Sequence, residues 1–248
     1  MKTSKTNAFT LIELLVVISI IAILAGIALP VFGTVMVRGQ QTKAMSNAKQ
    51  IGLALKLYAM DNQDLFPSYQ LNATTMKPDT TKPFTASDNS NTALAQLFPD
   101  YLQNEQIFCT PGSQFTLVTA DNKIDNPQQA TPVETLKQGE NTWAYVTGLT
   151  QTSNALFPLL ADGFLDSTAH TYSSDKSKKG GVWEGKKAII LRVDCSATCD
   201  KTAPSAAGGS DRIMNGNSVD GGDYFSTTAT STGGGTWLGT TNYALNPK

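Results

Sequence analysis

Ala8-Phe9-Thr10-Leu11-Ile12-Glu13-Leu14-Leu15-Val16-Val17-Ile18 opens an apolar run that continues to Leu29. From Phe9 to Leu29 there are 21 residues and one charge, Glu13. As an α-helix the run would be about 31 Å long, enough to cross the hydrocarbon core of a bilayer. Residues 1–8, MKTSKTNA, are polar and carry Lys2 and Lys5. Basic residues ahead of a span stay on the cytoplasmic side, so the bulk of the chain is expected to be exported.

An ordinary secretory signal is the first competing reading. It would have a basic start, an apolar core and a small-residue cleavage site after that core, and Ala25-Gly26-Ile27-Ala28 has the right composition for one. Glu13 speaks against it. A carboxylate inside an apolar segment is costly, and by default it points to a function and a partner.

The stretch from Ala8 to Ile18 resembles the processing motif of type IV prepilins and type II secretion pseudopilins. These families have a short basic leader, a small residue before the cut, usually Phe after it and Glu as the fifth mature residue. Ala8, Phe9 and Glu13 hold those places, and Pro30 stands where the family often has a helix-kinking proline. The residue before the cut is usually Gly in the family and is Ala8 here, which implies slower cleavage. The resemblance implies a prepilin peptidase that cuts between Ala8 and Phe9 and methylates the new Phe9 amine. It also implies a helix that is kept as membrane anchor and later as filament core. In that setting the Glu13 carboxylate of one subunit can pair with the Phe9 amine of a neighbour, which offsets the cost of an unpaired charge in apolar surroundings. The plainer alternative is that Glu13, near the helix start, reaches the interface.

Beyond Pro30 a helical period resumes. Ala44, Ala48, Ile51, Leu55 and Tyr58 recur at three- and four-residue spacing, with Arg38, Lys43, Lys49 and Lys56 between or beside them. This predicts an amphipathic helix to about Asp61, with Pro30, Gly33 and Gly39 bending or loosening the join. Asp61-Asn62-Gln63-Asp64 and Pro67 end it. Past residue 62 the chain turns polar. Residues 72–91 are polar, show no periodicity and are expected to be long loops or poorly ordered. Gln106–Cys109, Phe115–Thr119, Thr142–Val146, Ala188–Val193 and Tyr243–Leu245 are strand candidates, and Ala93–Tyr101 a short helix.

The expected fold is α+β. One long N-terminal transmembrane and amphipathic helix packs on a small antiparallel β-sheet with large loops. The organisation is a leader at 1–8, a membrane and filament-core helix at 9–29, its amphipathic continuation at 30–61 and an exported domain at 62–248. Leu57-Tyr58-Ala59-Met60-Asp61-Asn62 with Phe66-Pro67, and Phe98-Pro99-Asp100-Tyr101-Leu102 leading to Phe108-Cys109-Thr110-Pro111, also resemble pseudopilin-like segments.

Composition narrows the function further. Lys and Arg total 19 against 20 for Asp and Glu, a net charge of -1, so there is no basic footprint for nucleic acid unless the filament serves DNA uptake. His170 is the single histidine, which removes most histidine-based sites. Gly185-Lys186-Lys187 lacks the glycine spacing of a phosphate loop, and Gly216-Asn217-Ser218-Val219-Asp220 is no nucleophile elbow. Trp143, Trp183 and Trp237 are read as core residues and His170 as a surface residue. Cys109, Cys195 and Cys199 fall in the exported part, where oxidation is favoured. Cys195 can close a small loop with Cys199, or Cys109 can pair with either.

Asp220-Gly221-Gly222-Asp223, and Asp121 with Asp125, offer oxygen ligands of the kind calcium takes. Asp220 and Asp223 are named because major pseudopilins hold calcium in a C-terminal loop. No other cofactor and no catalytic residue is expected. The implied partners are prepilin peptidase, like or related pseudopilin subunits and an assembly platform in a bacterial inner membrane. The protein would span that membrane once and then enter a periplasmic or surface filament. A membrane-tethered binding or hydrolytic domain is the alternative, and a deep pocket with convergent carboxylates or aromatic residues would distinguish it.

Overall fold

The computed structural model describes residues 10–116, 118–125, 133–203, 213, 223–225, 238 and 242–248. Two compact units divide the chain, residues 1–42 and 43–248.

The described part of the first unit is helical. Helix α1 runs from Leu11 to Asp61, so Pro30 lies inside it rather than at an end. Leu11–Leu29 is long and apolar enough to cross a membrane, and none of it is buried within the protein. Its large side chains are open to the outside, from Leu11 at 82% exposure to Leu29 at 72%.

In the second unit the same helix behaves differently. Ala44, Ala48, Ile51, Leu55 and Tyr58 are all buried, as their spacing predicts, while Leu53, Leu57 and Met60 on the far side are exposed. The buried stripe joins a core that includes Trp143, Tyr145, Leu160, Ile189 and Leu191. Gly52 is needed for the approach. A Cβ there would sit 2.7 Å from a methyl carbon of Leu191. The helix ends where Gln63 and Asp64 adopt positive φ, at 57° and 61°.

The main sheet has five antiparallel strands: β3 (Trp143–Val146), β4 (Pro158–Asp162), β5 (Lys187–Arg192), β6 (Ala197–Lys201) and β7 (Ala244–Leu245). Their order is β6-β5-β4-β3-β7, a meander in which the last strand returns to pair with the first. β3 and β4 are buried at every position. Because side chains alternate between faces, both sides of the sheet centre are covered. A separate two-stranded ribbon joins β1 (Tyr69–Leu71) and β2 (Pro78–Pro83). Helix α2 (Ser90–Ala95) is capped by Asn89, whose side chain accepts from the Thr92 amide.

The α+β expectation holds, and three of the five expected strands are present as β3, β5 and β7. Gln106–Cys109 is corrected. Residues Glu105–Phe108 form a 3-10 turn because Asn104 accepts from the Gln106 amide at 2.8 Å, a local bond that competes with pairing. Phe115–Thr119 is corrected too: none of its described residues is strand, and Phe115 lies in a turn closed by the Thr116 amide donating to Ser113 O. Residues 72–91 are not all loop, since β2 lies among them. β2 has no apolar alternation to mark it: its last four residues, Thr80, Thr81, Lys82 and Pro83, are all exposed. β4 escaped notice because Pro158-Leu-Leu-Ala-Asp has no alternation when both faces are covered.

Candidate functional site

The start of α1 is a reciprocal cap. Thr10 precedes the first helical residue, and its hydroxyl accepts from the Glu13 amide at 3.3 Å. The Glu13 carboxylate returns to Thr10, accepting from its amide at 2.8 Å and its hydroxyl at 2.7 Å. This is the T-x-x-E capping box, in which two otherwise orphaned amides are satisfied at once. The signal is plain in the sequence, but the apolar run drew the reading of Glu13 toward the membrane instead. Both bonds to the carboxylate use one oxygen, Oε2. Ala8 and Phe9 lie outside the described residues.

From that cap onward the helix offers a continuous apolar surface. Leu24, Ile27, Val31, Phe32 and Val35 line a shallow apolar groove along it. Among the described residues, the large apolar side chains of this stretch are exposed.

The sites expected in the second unit fare differently. Cys109, Cys195 and Cys199 are free thiols, against the disulfide expectation. Each is committed elsewhere. Cys109 Sγ donates to Glu140 O at 3.3 Å. Cys195 sits in the β5–β6 turn at φ 64°, near Gly52. Cys199 lies within β6, in register with Ile189. Burial pushes all three thiols up.

Asp220 lies outside the described residues. Asp223 Oδ2 is 2.7 Å from His170 Nδ1, and both side chains are about one-tenth exposed. His170 is therefore buried, not a surface residue. It packs edge-on to Phe164 at 5.4 Å and against Phe225 at 5.7 Å. Trp143 and Trp183 are buried as expected, and Trp237 lies outside the described residues.

Acidic residues do converge elsewhere. Asp121 meets Glu105 and Glu140, with one oxygen of each within 4.8 Å of the others. Asp125 is not part of this group. Its carboxylate accepts from the backbone amides of Val133, Glu134 and Thr135. Neither Glu105 nor Glu140 was singled out in the sequence, because they are 35 residues apart and flanked by polar loops.

A model described as "Prokaryotic N-terminal methylation motif" matches residues 3–29. The type II secretion system core protein G of Pseudomonas aeruginosa is 35% identical over 119 residues, 46% of this chain and 80% of that protein. The chain belongs to the type IV pilin and type II secretion pseudopilin family. Type II secretion system core protein G of Escherichia coli is 29% identical to this pilin-family chain over 110 residues, 44% of the chain and 76% of the relative. Type IV major fimbrial protein FimA of Dichelobacter nodosus is 38% identical over 61 residues, 25% of the chain and 39% of that protein. No solved structure matches. As a pilin-family member the chain has the prepilin N-terminal motif on an apolar helix and an α+β domain after it. More than half of its length lies outside each of these alignments.

Proposed function

We propose that this chain is a pseudopilin: a structural subunit that a prepilin peptidase cuts between Ala8 and Phe9 and methylates at Phe9. An inner-membrane platform then stacks it with like subunits into a type II secretion or pilus-like filament. One observation carries the reading. The helix from Leu11 to Phe32 exposes its apolar side chains all round, beneath a single carboxylate at its first turn. A helix that is apolar on every side is stable in water only when something else covers it. A bilayer covers it before assembly, and neighbouring copies cover it after.

Glu13 then has two tasks. In the lone subunit its Oε2 closes the capping box with Thr10. In the filament its charge pairs with the methylated Phe9 amine of a neighbour, which fixes the register. The exposed Leu53, Leu57 and Met60 recur at helical spacing and extend the surface available to adjacent subunits. No residue is assigned a catalytic role. A groove of about 330 Å³ in the second unit is lined by Lys43, Gln106, Cys109 and Thr110 among others, and none of its lining residues is acidic.

The two tasks of Glu13 separate by mutation. Thr10→Ala removes the capping hydroxyl and keeps the charge. Glu13→Gln keeps an acceptor for the Thr10 amide and removes the charge. Crosslinking of filaments in cells is expected to show near-normal incorporation for Thr10→Ala and loss for Glu13→Gln, with both variants present in the membrane. Equal incorporation of the two would refute the charge pairing. Mass spectrometry of the mature chain is expected to find N-methyl-Phe9, whereas a start after Ala28 would establish the secretory alternative.

A further inference from the structure

Glu105, Asp121 and Glu140 come from three separate places: the 3-10 turn, the stretch after it and the approach to β3. One oxygen of each lies within 4.8 Å of the others. Glu105 and Glu140 are fully buried. Three bonds to backbone amides aim these two carboxylates. Leu136 N donates to Glu105 Oε1 at 2.7 Å, Lys137 N to Glu140 Oε2 at 3.1 Å, and Asp121 N to Glu140 Oε1 at 3.2 Å. Glu105 Oε2 is buried and has no hydrogen-bond partner. An orphaned carboxylate oxygen in the interior costs free energy and calls for an explanation.

The charges around it do not balance. Lys137 Nζ sits 2.6 Å from Asp121 Oδ2 and 3.3 Å from Glu134 Oε2, but only 4.0 Å from Glu140 Oε1. Lys123 reaches Asp121 Oδ2 at 3.3 Å. Four carboxylates thus face two ammonium groups, which leaves two negative charges, with the buried pair the least compensated. Burial holds Glu105 and Glu140 above the usual carboxylate range, and each is raised further by neighbouring acids.

We infer that Glu105, Asp121 and Glu140 form a binding site for a hard divalent cation. The donor set is all carboxylate oxygen, as such ions require, and two ligands of one Ca²⁺ can stand up to about 5 Å apart. The ion would supply the missing partner of Glu105 Oε2 and cancel the excess charge. It would tie the 3-10 turn and the segment around Asp121 to the entry of β3. The site is distinct from Asp223, whose carboxylate is engaged by His170.

The test uses the full-length chain in detergent micelles, stripped with EGTA. Calcium chloride and magnesium chloride are titrated separately by calorimetry, and thermal melts are followed by circular dichroism. Calcium is expected to bind with one-site stoichiometry and raise the melting temperature by several degrees, with magnesium weaker because it sheds its waters reluctantly. Glu105→Gln is expected to weaken binding about tenfold or more. Asp121→Asn, at the exposed side, is expected to weaken it similarly while melting like wild type in EGTA, so a folding defect at Glu105 does not decide the matter. Asp223→Asn is expected to leave calcium affinity unchanged. Absence of heat and of any melting shift in the folded wild-type chain would overturn the site, as would full calcium affinity in Asp121→Asn or loss of it in Asp223→Asn.

Discussion

Residues 11–37 and residues 44–59 belong to one helix and obey different rules. In the first stretch apolar residues follow one another without period, and every large one is exposed. In the second they recur every three or four positions, and that stripe is buried against a sheet from the same chain. The period of a helical pattern reports the width of what covers it. A narrow stripe is a partner on one side, here the protein's own core. An unbroken apolar cylinder is a partner on all sides, which a single folded domain of this size does not supply.

The comparison can be broken by paired substitutions. The largest stability effect is expected at Leu55, which is fully buried: Leu55→Ala should destabilise the domain by about 2–5 kcal/mol. Ile21→Ala, at a site 59% exposed, should leave the same thermal melt unchanged in detergent. A drop for Ile21→Ala comparable to that for Leu55→Ala would mean that the apolar half packs on its own chain.

A smaller effect separates the domain by pH. Asp162 is wholly buried in β4, and burial pushes its carboxyl up to about 6. Its Oδ2 accepts from Trp183 Nε1 and from the Ile189 amide, both at 2.7 Å, which opposes part of that rise. Between about pH 4 and 6 the folded chain therefore holds a proton that the unfolded chain has released. Stability from this group is greatest below the unfolded value and falls as pH rises through the window, by an amount on the order of 3 kcal/mol. Urea unfolding at several pH values is expected to show that slope in wild type and a shallower one in Asp162→Asn, with Glu105 and Glu140, also raised by burial, supplying the remainder. The smallest effect is at Tyr58, whose hydroxyl donates to Gln96 Oε1 at 2.8 Å. Tyr58→Phe should cost about 1 kcal/mol, measured by the same unfolding.

The legible parts of the fold were those with local causes. The helix end at Asp61 follows from a run of short polar residues, and β3 and β5 from concentrated β-branched and aromatic side chains. β2 was missed because its exposed polar residues are set by pairing with β1, which lies on the far side of a turn. The 105–108 segment was misread because an asparagine cap outweighed its strand-like composition. The cysteine pairing failed for a similar reason: oxidation is favoured by compartment, yet bonding depends on where three separate backbone segments place the thiols.

The sequence by itself determined the apolar N-terminal helix, the prepilin-type motif, the membership in the pilin family and the face of α1 that is buried. These rest on order and spacing within a few turns of chain, where 3.6-residue geometry fixes what adjoins what. Only the tertiary structure decided that His170 is buried against Asp223 and that Glu105, Asp121 and Glu140 meet. These bring together residues 53 and 35 positions apart. Such meetings depend on how the sheet and its loops close, and no local period encodes that closure.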